Sequence, residues 1–300
     1  MDRARDGLPA LTPAPESPAG GTVDLHVHST ASDGSLPPGR VVERAVAAGL
    51  AAIALTDHDT LGGVPAALEA GERLGLRVIA GCEFSAAAPW GEMHVLGYFL
   101  PPESADLEAF LARCRADRMR RGQEMVTRLQ GLGLALSFDD VLEEAAGGAV
   151  GRPHVARALA RRGHVTEAGQ AFDRWIGRGR PAYVDKVLPE FREVAERVHA
   201  VRGVVSIAHL KDRGTRSFLE RLKGEGLDAV ETRHPSHDPD IRARLTDLAL
   251  GLGLLRTGGS DWHGDIQGHD VPGALGSQEV PAEWLDRLDD RRGAFAGAAT

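Results

Sequence analysis

The chain has 300 residues and a formal net charge of −8, with 42% hydrophobic and 26% charged residues, a composition that excludes a fibrous or wholly disordered protein. The longest uncharged apolar stretch, Ala45 to Leu55, is too short for a bilayer span of ~20 residues, and no signal segment or membrane association is expected. Two cysteines, Cys82 and Cys114, cannot form a disulfide framework and fit a cytoplasmic setting, while the acidic balance argues against duplex DNA as a partner but not against an anionic substrate.

Residues 1–21, rich in Pro, Ala and Gly, read as a disordered leader. From Thr22, TVDLHVH reads as a strand, and Pro37 to Leu50 as a helix with Pro at its start and Gly49 near its end. AAIALTDHD is a buried strand entering a polar loop; VPAALEAGERLG is a helix, RVIAGCEFS a strand, and Met93 to Phe99 a further strand. Alternating strands and helices predict a largely parallel α/β architecture with its site at the C-terminal strand ends. Pro101-Pro102 interrupts the rhythm, and residues 102–186 read as a helical insertion that would cap the substrate. The insertion holds 14 Lys and Arg against 12 Asp and Glu, net +2, and the rest of the chain is net −10. An anion-attracting wall above an acidic site and ordinary solvated helix faces both explain that split. Strands and helices then alternate again through 187–279: VVSIAH, LDAVETRH and LLRTGGSD are strands, and 280–300 is expected to be a C-terminal tail.

The chemistry-bearing residues recur at strand ends. His26 and His28 sit at i and i+2 on one strand and therefore share a face. Asp33 follows in a loop where an Asx-turn is the plain alternative. Thr56-Asp57-His58-Asp59 closes the strand AAIAL, and buried carboxylates there need partners. Glu83 occupies the same kind of place after RVIAGC, and its two oxygens could bridge cations. His94 lies on the next strand, His209 ends VVSIA, His234 ends LDAVETR, and Asp261 and His263 follow LLRTGGS. Imidazoles and carboxylates without thiolates suit Mn²⁺, Zn²⁺ or Fe²⁺. Nine such groups exceed the needs of one ion, so two or three are implied.

The ordered motifs DLHVHSTASDGS, ALTDHDTLGG, IAGCEFS, HVLGYF and GGSDWHG resemble the PHP family, named for polymerase and histidinol phosphatase, from about Val23 to about Gly276. The segments VGRPHVARAL and GRGRPAYV look like its nucleoside 3′,5′-bisphosphate phosphatases, which also act as 5′→3′ exoribonucleases on short RNA. The resemblance implies a distorted (β/α)7 barrel, with 22–101 and 187–279 as the barrel, and a trinuclear centre with Mn²⁺ as the first choice. It places one metal on His26, His28, Glu83 and Asp261. A second falls on Asp33, His58 and His263, and a third on Glu83, His94 and His209. The implied reaction is attack of a metal-activated water on the phosphorus of a small anionic phosphoester, a nucleotide or a short single-stranded RNA. Arg152 is the leading phosphate contact, followed by Arg178 or Arg180, then Lys186; surface solubility is the plain reading of each. His234 is a candidate to contact phosphate or protonate the leaving alkoxide. Asp57 is carried as a further catalytic candidate and, with Asp59, is placed behind the ligands. Two departures stand out: the family commonly has Pro where this chain has Leu210, followed by Lys211-Asp212-Arg213, and an aromatic where it has Arg233. The alternatives are a phosphatase for histidinol phosphate or a specialised metabolite, and a non-catalytic metal-binding PHP module.

Overall fold

The computed structural model describes residues 21–264 and 273–297, so the leader 1–20, His269 and the last three residues lie outside the described residues. In chain order the first half of the barrel is β1 (Thr22–Val27), α1 (Pro38–Ala47), β2 (Ala52–Leu55), α2 (Val64–Leu74), β3 (Arg77–Ala88) and β4 (Gly91–Tyr98). The insertion follows with α3 (Ala105–Gly131), α4 (Phe138–Ala145), α5 (Arg152–Arg161), α6 (Ala168–Ala171) and a π-helical turn at Phe172–Ile176. The chain returns through α7 (Phe191–Ala200), β5 (Val204–Ile207), α8 (Arg216–Gly224), β6 (Ala229–Arg233), α9 (Pro239–Gly251), β7 (Leu255–Gly258), β8 (Val280–Pro281) and α10 (Ala282–Gly297).

The strands form one eight-stranded sheet in the order β7-β6-β5-β4-β3-β2-β1-β8. It curls into a nearly closed barrel. The seam is sealed where Val27 bridges Trp262 and the His28 amide donates to the Trp262 carbonyl at 2.9 Å. Gly259 is needed there, because a Cβ at this position would lie 2.4 Å from the His26 Cβ. Asp24 ties the same seam together by accepting the amides of Ser260 (2.9 Å) and Gly276 (2.8 Å).

The sheet is less parallel than the sequence predicts. β4 runs antiparallel to both β3 and β5, and β8 antiparallel to β1. Two strands that follow each other through only a two-residue turn can pair no other way. β3 consequently has two partners: Arg77–Ala80 lies beside β2, and Gly81–Ala88 beside β4. Glu83 therefore sits inside a long strand rather than at a strand end. Residues 280–297 are not a tail either. β8 extends the sheet at β1, and α10 buries Trp284, Leu285 and Leu288 in the apolar layer around β1, β4 and β5.

Within the insertion α3 has two allegiances. Leu107, Phe110 and Leu111 pack into the apolar layer of the barrel, while Met125, Val126 and Leu129 join a second core with α4, α5 and the π-helical turn. Ser104 and Ser137 cap α3 and α4, Ser137 in a reciprocal capping box with Asp140. No helix among the described residues is long and apolar enough to cross a membrane.

Candidate metal centre

The parallel strands point their C-terminal ends at one buried cluster, with Glu83 in the middle. Its Oε2 lies 3.3 Å from His26 Nε2, 3.2 Å from His28 Nε2 and 3.0 Å from His58 Nδ1; its Oε1 lies 2.7 Å from His94 Nδ1 and 3.0 Å from His209 Nε2. Asp261 Oδ1 closes one group at 3.3 Å from His26 Nε2 and 3.0 Å from His28 Nε2. Asp33 anchors another, with His263 Nε2 at 3.2 Å and His58 Nε2 at 3.8 Å. Backbone geometry at the rim is unusual: His209 and Asp261 are both in the left-handed region, at φ 42° and 51°. Such conformations in non-glycine residues concentrate at functional sites.

These donors fit divalent ions. Two ligands each about 2.1 Å from one cation and 90–109° apart are separated by about 3.0–3.4 Å, the spacing found here. His26 Nε2, His28 Nε2, His58 Nδ1 and Glu83 Oε2 are buried without a hydrogen-bond partner among the described residues, a costly state that a shared cation relieves. Four groups could each hold an ion: His26–His28–Glu83–Asp261, His28–Asp33–His58–His263, His58–Glu83–His94, and His26–Glu231–His234. Burial opposes the charge on Glu83, but His94, His58 and His26 around it hold its carboxyl well below the usual range. Asp33 and Asp261 are held low in the same way, by His58 and by His26 respectively. Burial pushes the His58 imidazole down to about 3, whereas, against the effect of burial, Asp261 and Glu83 bring His28 up to about 10, and Glu83 and Glu92 bring His94 up to about 9. A cation binding here would take the place of those imidazole protons.

The PHP domain model matches residues 24–225. A 5′-3′ exoribonuclease of Haemophilus influenzae is 34% identical over 245 residues, covering 80% of this chain and 89% of that protein. A 3′,5′-nucleoside bisphosphate phosphatase of Chromobacterium violaceum is 32% identical over 255 residues, covering 82% and 88%. The chain belongs to the PHP family. A solved Bifidobacterium adolescentis structure, assigned as a metal-dependent phosphoesterase, superposes with a TM-score of 0.83 at 33% identity over 92% of this chain and 98% of that one. This PHP protein is accordingly a metal-dependent phosphoesterase.

Beside the PHP cluster lies a cavity of about 350 Å³ floored by His94 and His209. Arg152, Arg178 and Lys186 from the insertion line it, as does Arg213 from the loop after β5. Arg152 has no hydrogen-bonded partner among the described residues; its guanidinium lies 5.8 Å from the Phe172 ring and 6.0 Å from the Tyr183 ring. Arg178 donates to the Trp90 carbonyl. Lys186 donates to Ser85 at 2.9 Å and pairs with Glu92; burial pushes its ammonium down to about 8. Buried Arg121 lies behind these residues, donating to the Val184 carbonyl at 2.7 Å. Burial and the neighbouring Arg152 bring it down to about 10.

Other expectations fall differently. Arg180 is exposed and does not line the cavity. Asp57 lies behind the ligands: its carboxylate accepts the Ser29 amide (2.8 Å), the Ser29 hydroxyl (2.6 Å) and the Ser32 hydroxyl (2.7 Å), so it shapes the loop carrying Asp33. Asp59 pairs with buried Arg118 at 2.7 Å and pins α3 to the barrel. His234 lies at the far side of the cluster, with Nε2 3.3 Å from Asp261 Oδ2 and Nδ1 2.8 Å from the Ser236 hydroxyl, and it does not line the cavity. Glu231 escapes the sequence reading. It is fully buried and lies 2.9 Å from His26 Nδ1, which orients the ring and leaves Nε2 for the cluster. Its signal is available in hindsight: an acid at the centre of the five-residue strand AVETR needs a buried partner.

Proposed function

We propose that this phosphoesterase removes the 3′-phosphate of nucleoside 3′,5′-bisphosphates and, by the same attack at an internucleotide bond, releases the first nucleotide of short 5′-phosphorylated RNA. The observation that supports this reading is the unpaired Arg152, set across a nucleotide-sized cavity from His94 and His209. A monophosphate occupying the cluster would leave that cation without a counter-charge, whereas a substrate with a second phosphate fills both places. Of the two relatives named above, one is a 3′,5′-nucleoside bisphosphate phosphatase, whose substrate carries two phosphates, and the other a 5′-3′ exoribonuclease.

In this reading His26, His28, Glu83 and Asp261 hold one ion, Asp33, His58 and His263 a second, and Glu83, His94 and His209 a third, with Mn²⁺ preferred to Zn²⁺ or Fe²⁺. When bound, such ions lower the pKa of a water nucleophile and withdraw charge from the phosphoryl oxygens. The protein does the rest. Glu83 would serve two of these positions, one through each of its oxygens. Glu231 fixes the tautomer of His26. Arg152 grips the remote phosphate and sets the scissile one in line. His234, beside Asp261, delivers the proton to the departing alkoxide.

The test is a phosphate-release assay on Mn²⁺-loaded protein offered adenosine 3′,5′-bisphosphate, AMP and histidinol phosphate. The bisphosphate is expected to have the highest kcat/KM. Equal or better turnover of histidinol phosphate overturns the substrate assignment, and no turnover of any phosphoester by metal-loaded protein overturns the mechanism.

A further inference from the structure

Four cations line the cavity, and two have protein acceptors already: Arg178 at the Trp90 carbonyl and Lys186 at Glu92. Arg152 is used by the proposed second phosphate. Arg213 remains. Its guanidinium lies 5.3 Å from the centre of the Trp90 ring and has no hydrogen-bond acceptor among the described residues. An arginine held by a cation–π contact keeps its N–H groups free for an oxyanion.

The loop carrying Arg213 is built to present it. The chain leaves β5 through His209 at φ 42° and Lys211 at φ 51°, then makes a 3₁₀ turn over Lys211–Arg213. Arg244 of α9 clamps that turn, donating to the carbonyls of Lys211 (2.7 Å), Gly214 (2.9 Å) and Asp212 (3.4 Å). Trp90 is fixed as well: its indole N–H donates to the Glu92 carbonyl at 2.8 Å, and its ring packs on Phe218 at 5.0 Å. One arginine holds the loop, an aromatic ring holds the other arginine, and the second guanidinium takes no part in the scaffold.

We propose that Arg213, backed by Trp90, binds the next phosphate of the downstream strand, the part that keeps the attacked phosphate, when the substrate is RNA. This rests on the phosphoesterase reading above. With the 5′-phosphate on Arg152 and the first internucleotide phosphate at the cluster, the first nucleotide leaves through its 3′-oxygen, and the downstream chain is assigned to Arg213, which lines the same cavity. A nucleoside bisphosphate has no further phosphate, and neither has a 5′-phosphorylated dinucleotide. A 5′-phosphorylated trinucleotide has one, between its second and third nucleosides. Arg213 therefore distinguishes RNA of three or more nucleotides from shorter substrates.

The experiment compares Arg213→Ala and Arg213→Lys with the wild type on the 5′-phosphorylated di- and trinucleotide. One charge-assisted phosphate contact corresponds to about tenfold. The ratio of kcat/KM for trinucleotide over dinucleotide should fall about tenfold in Arg213→Ala and recover in part in Arg213→Lys. A ratio within about twofold of wild type overturns the proposal, including the case where both substrates suffer equally. A second arm measures fluorescence anisotropy of a labelled 5′-phosphorylated trinucleotide on chelator-treated protein. Arg213→Ala should weaken binding of the trinucleotide more than of the dinucleotide, and equal weakening overturns the proposal. If wild-type protein binds the trinucleotide through Arg213 but cleaves nothing when loaded with Mn²⁺, the catalytic reading fails and the binding site stands.

Discussion

At the scale of single residues, the centre works because Glu83 is surrounded by histidines that differ in what they can donate. His28→Ala or Asp261→Ala removes a candidate ligand from the group His26–His28–Glu83–Asp261. Either should abolish phosphate release while circular dichroism stays native, and an active variant would refute the ligand assignment. Glu231→Gln leaves the shape but replaces the anionic acceptor at His26 Nδ1. The expected consequence is a loss of about 10–100-fold in metal affinity, measured by competition with a chelating dye. Lys186 gives the pH prediction. Burial brings its ammonium to about 8 while Glu92 stays anionic, so the positive charge facing the cavity is present below pH 8 and is lost above it. KM for the bisphosphate should rise between pH 7 and 9 and flatten in Lys186→Arg; a pH-independent KM removes Lys186 from substrate binding. Most of the centre is legible at this scale, because His and Asp at i and i+2 around a strand end face one way whatever the sheet does. Glu231 and Arg213 are not legible, since their partners, His26 and Trp90, are more than 100 residues away.

At the scale of elements, the misread segments share a cause. β4 is short, alternating and readable as a strand, but its direction depends on which neighbour it pairs with, and local periodicity carries no direction. β8 is two residues long and has no periodicity at all. Its role comes from pairing with β1 and from the helix behind it. α10 covers the barrel with Trp284, which is 4% exposed, so Trp284→Ala should cost about 3–5 kcal/mol in chemical denaturation. A cost below about 1 kcal/mol would return 280–297 to the status of a tail. The long α3 shows the converse. Its helical pattern is plain, but its division between the barrel and the insertion is visible only in its contacts.

At the scale of the whole molecule, the net charge of −8 is a sum of unlike parts. The barrel concentrates carboxylates where cations can use them, and the insertion brings Arg152, Arg178 and Lys186 over that site. Ions that bind only the folded chain stabilise it by about 2.7 kcal/mol at a concentration of 100 Kd. Chelation should therefore lower the thermal midpoint by several degrees, and His28→Ala should lose that sensitivity. Identical midpoints with and without chelator would show that the cluster binds no ion.

The sequence by itself determined the alternation of strands and helices, the helical insertion and the nine candidate metal ligands. All of these depend on local spacing, side-chain chemistry and motif order. The tertiary structure decided the direction of β4, the meeting of β1 with the segment after β7 beside Gly259, and the addition of β8 at β1. It also decided the position of Asp57 behind the ligands, of Arg180 outside the cavity, of Glu231 against His26 and of Arg213 beside Trp90. Those outcomes depend on contacts between segments distant in the chain, which local spacing and side-chain chemistry do not carry.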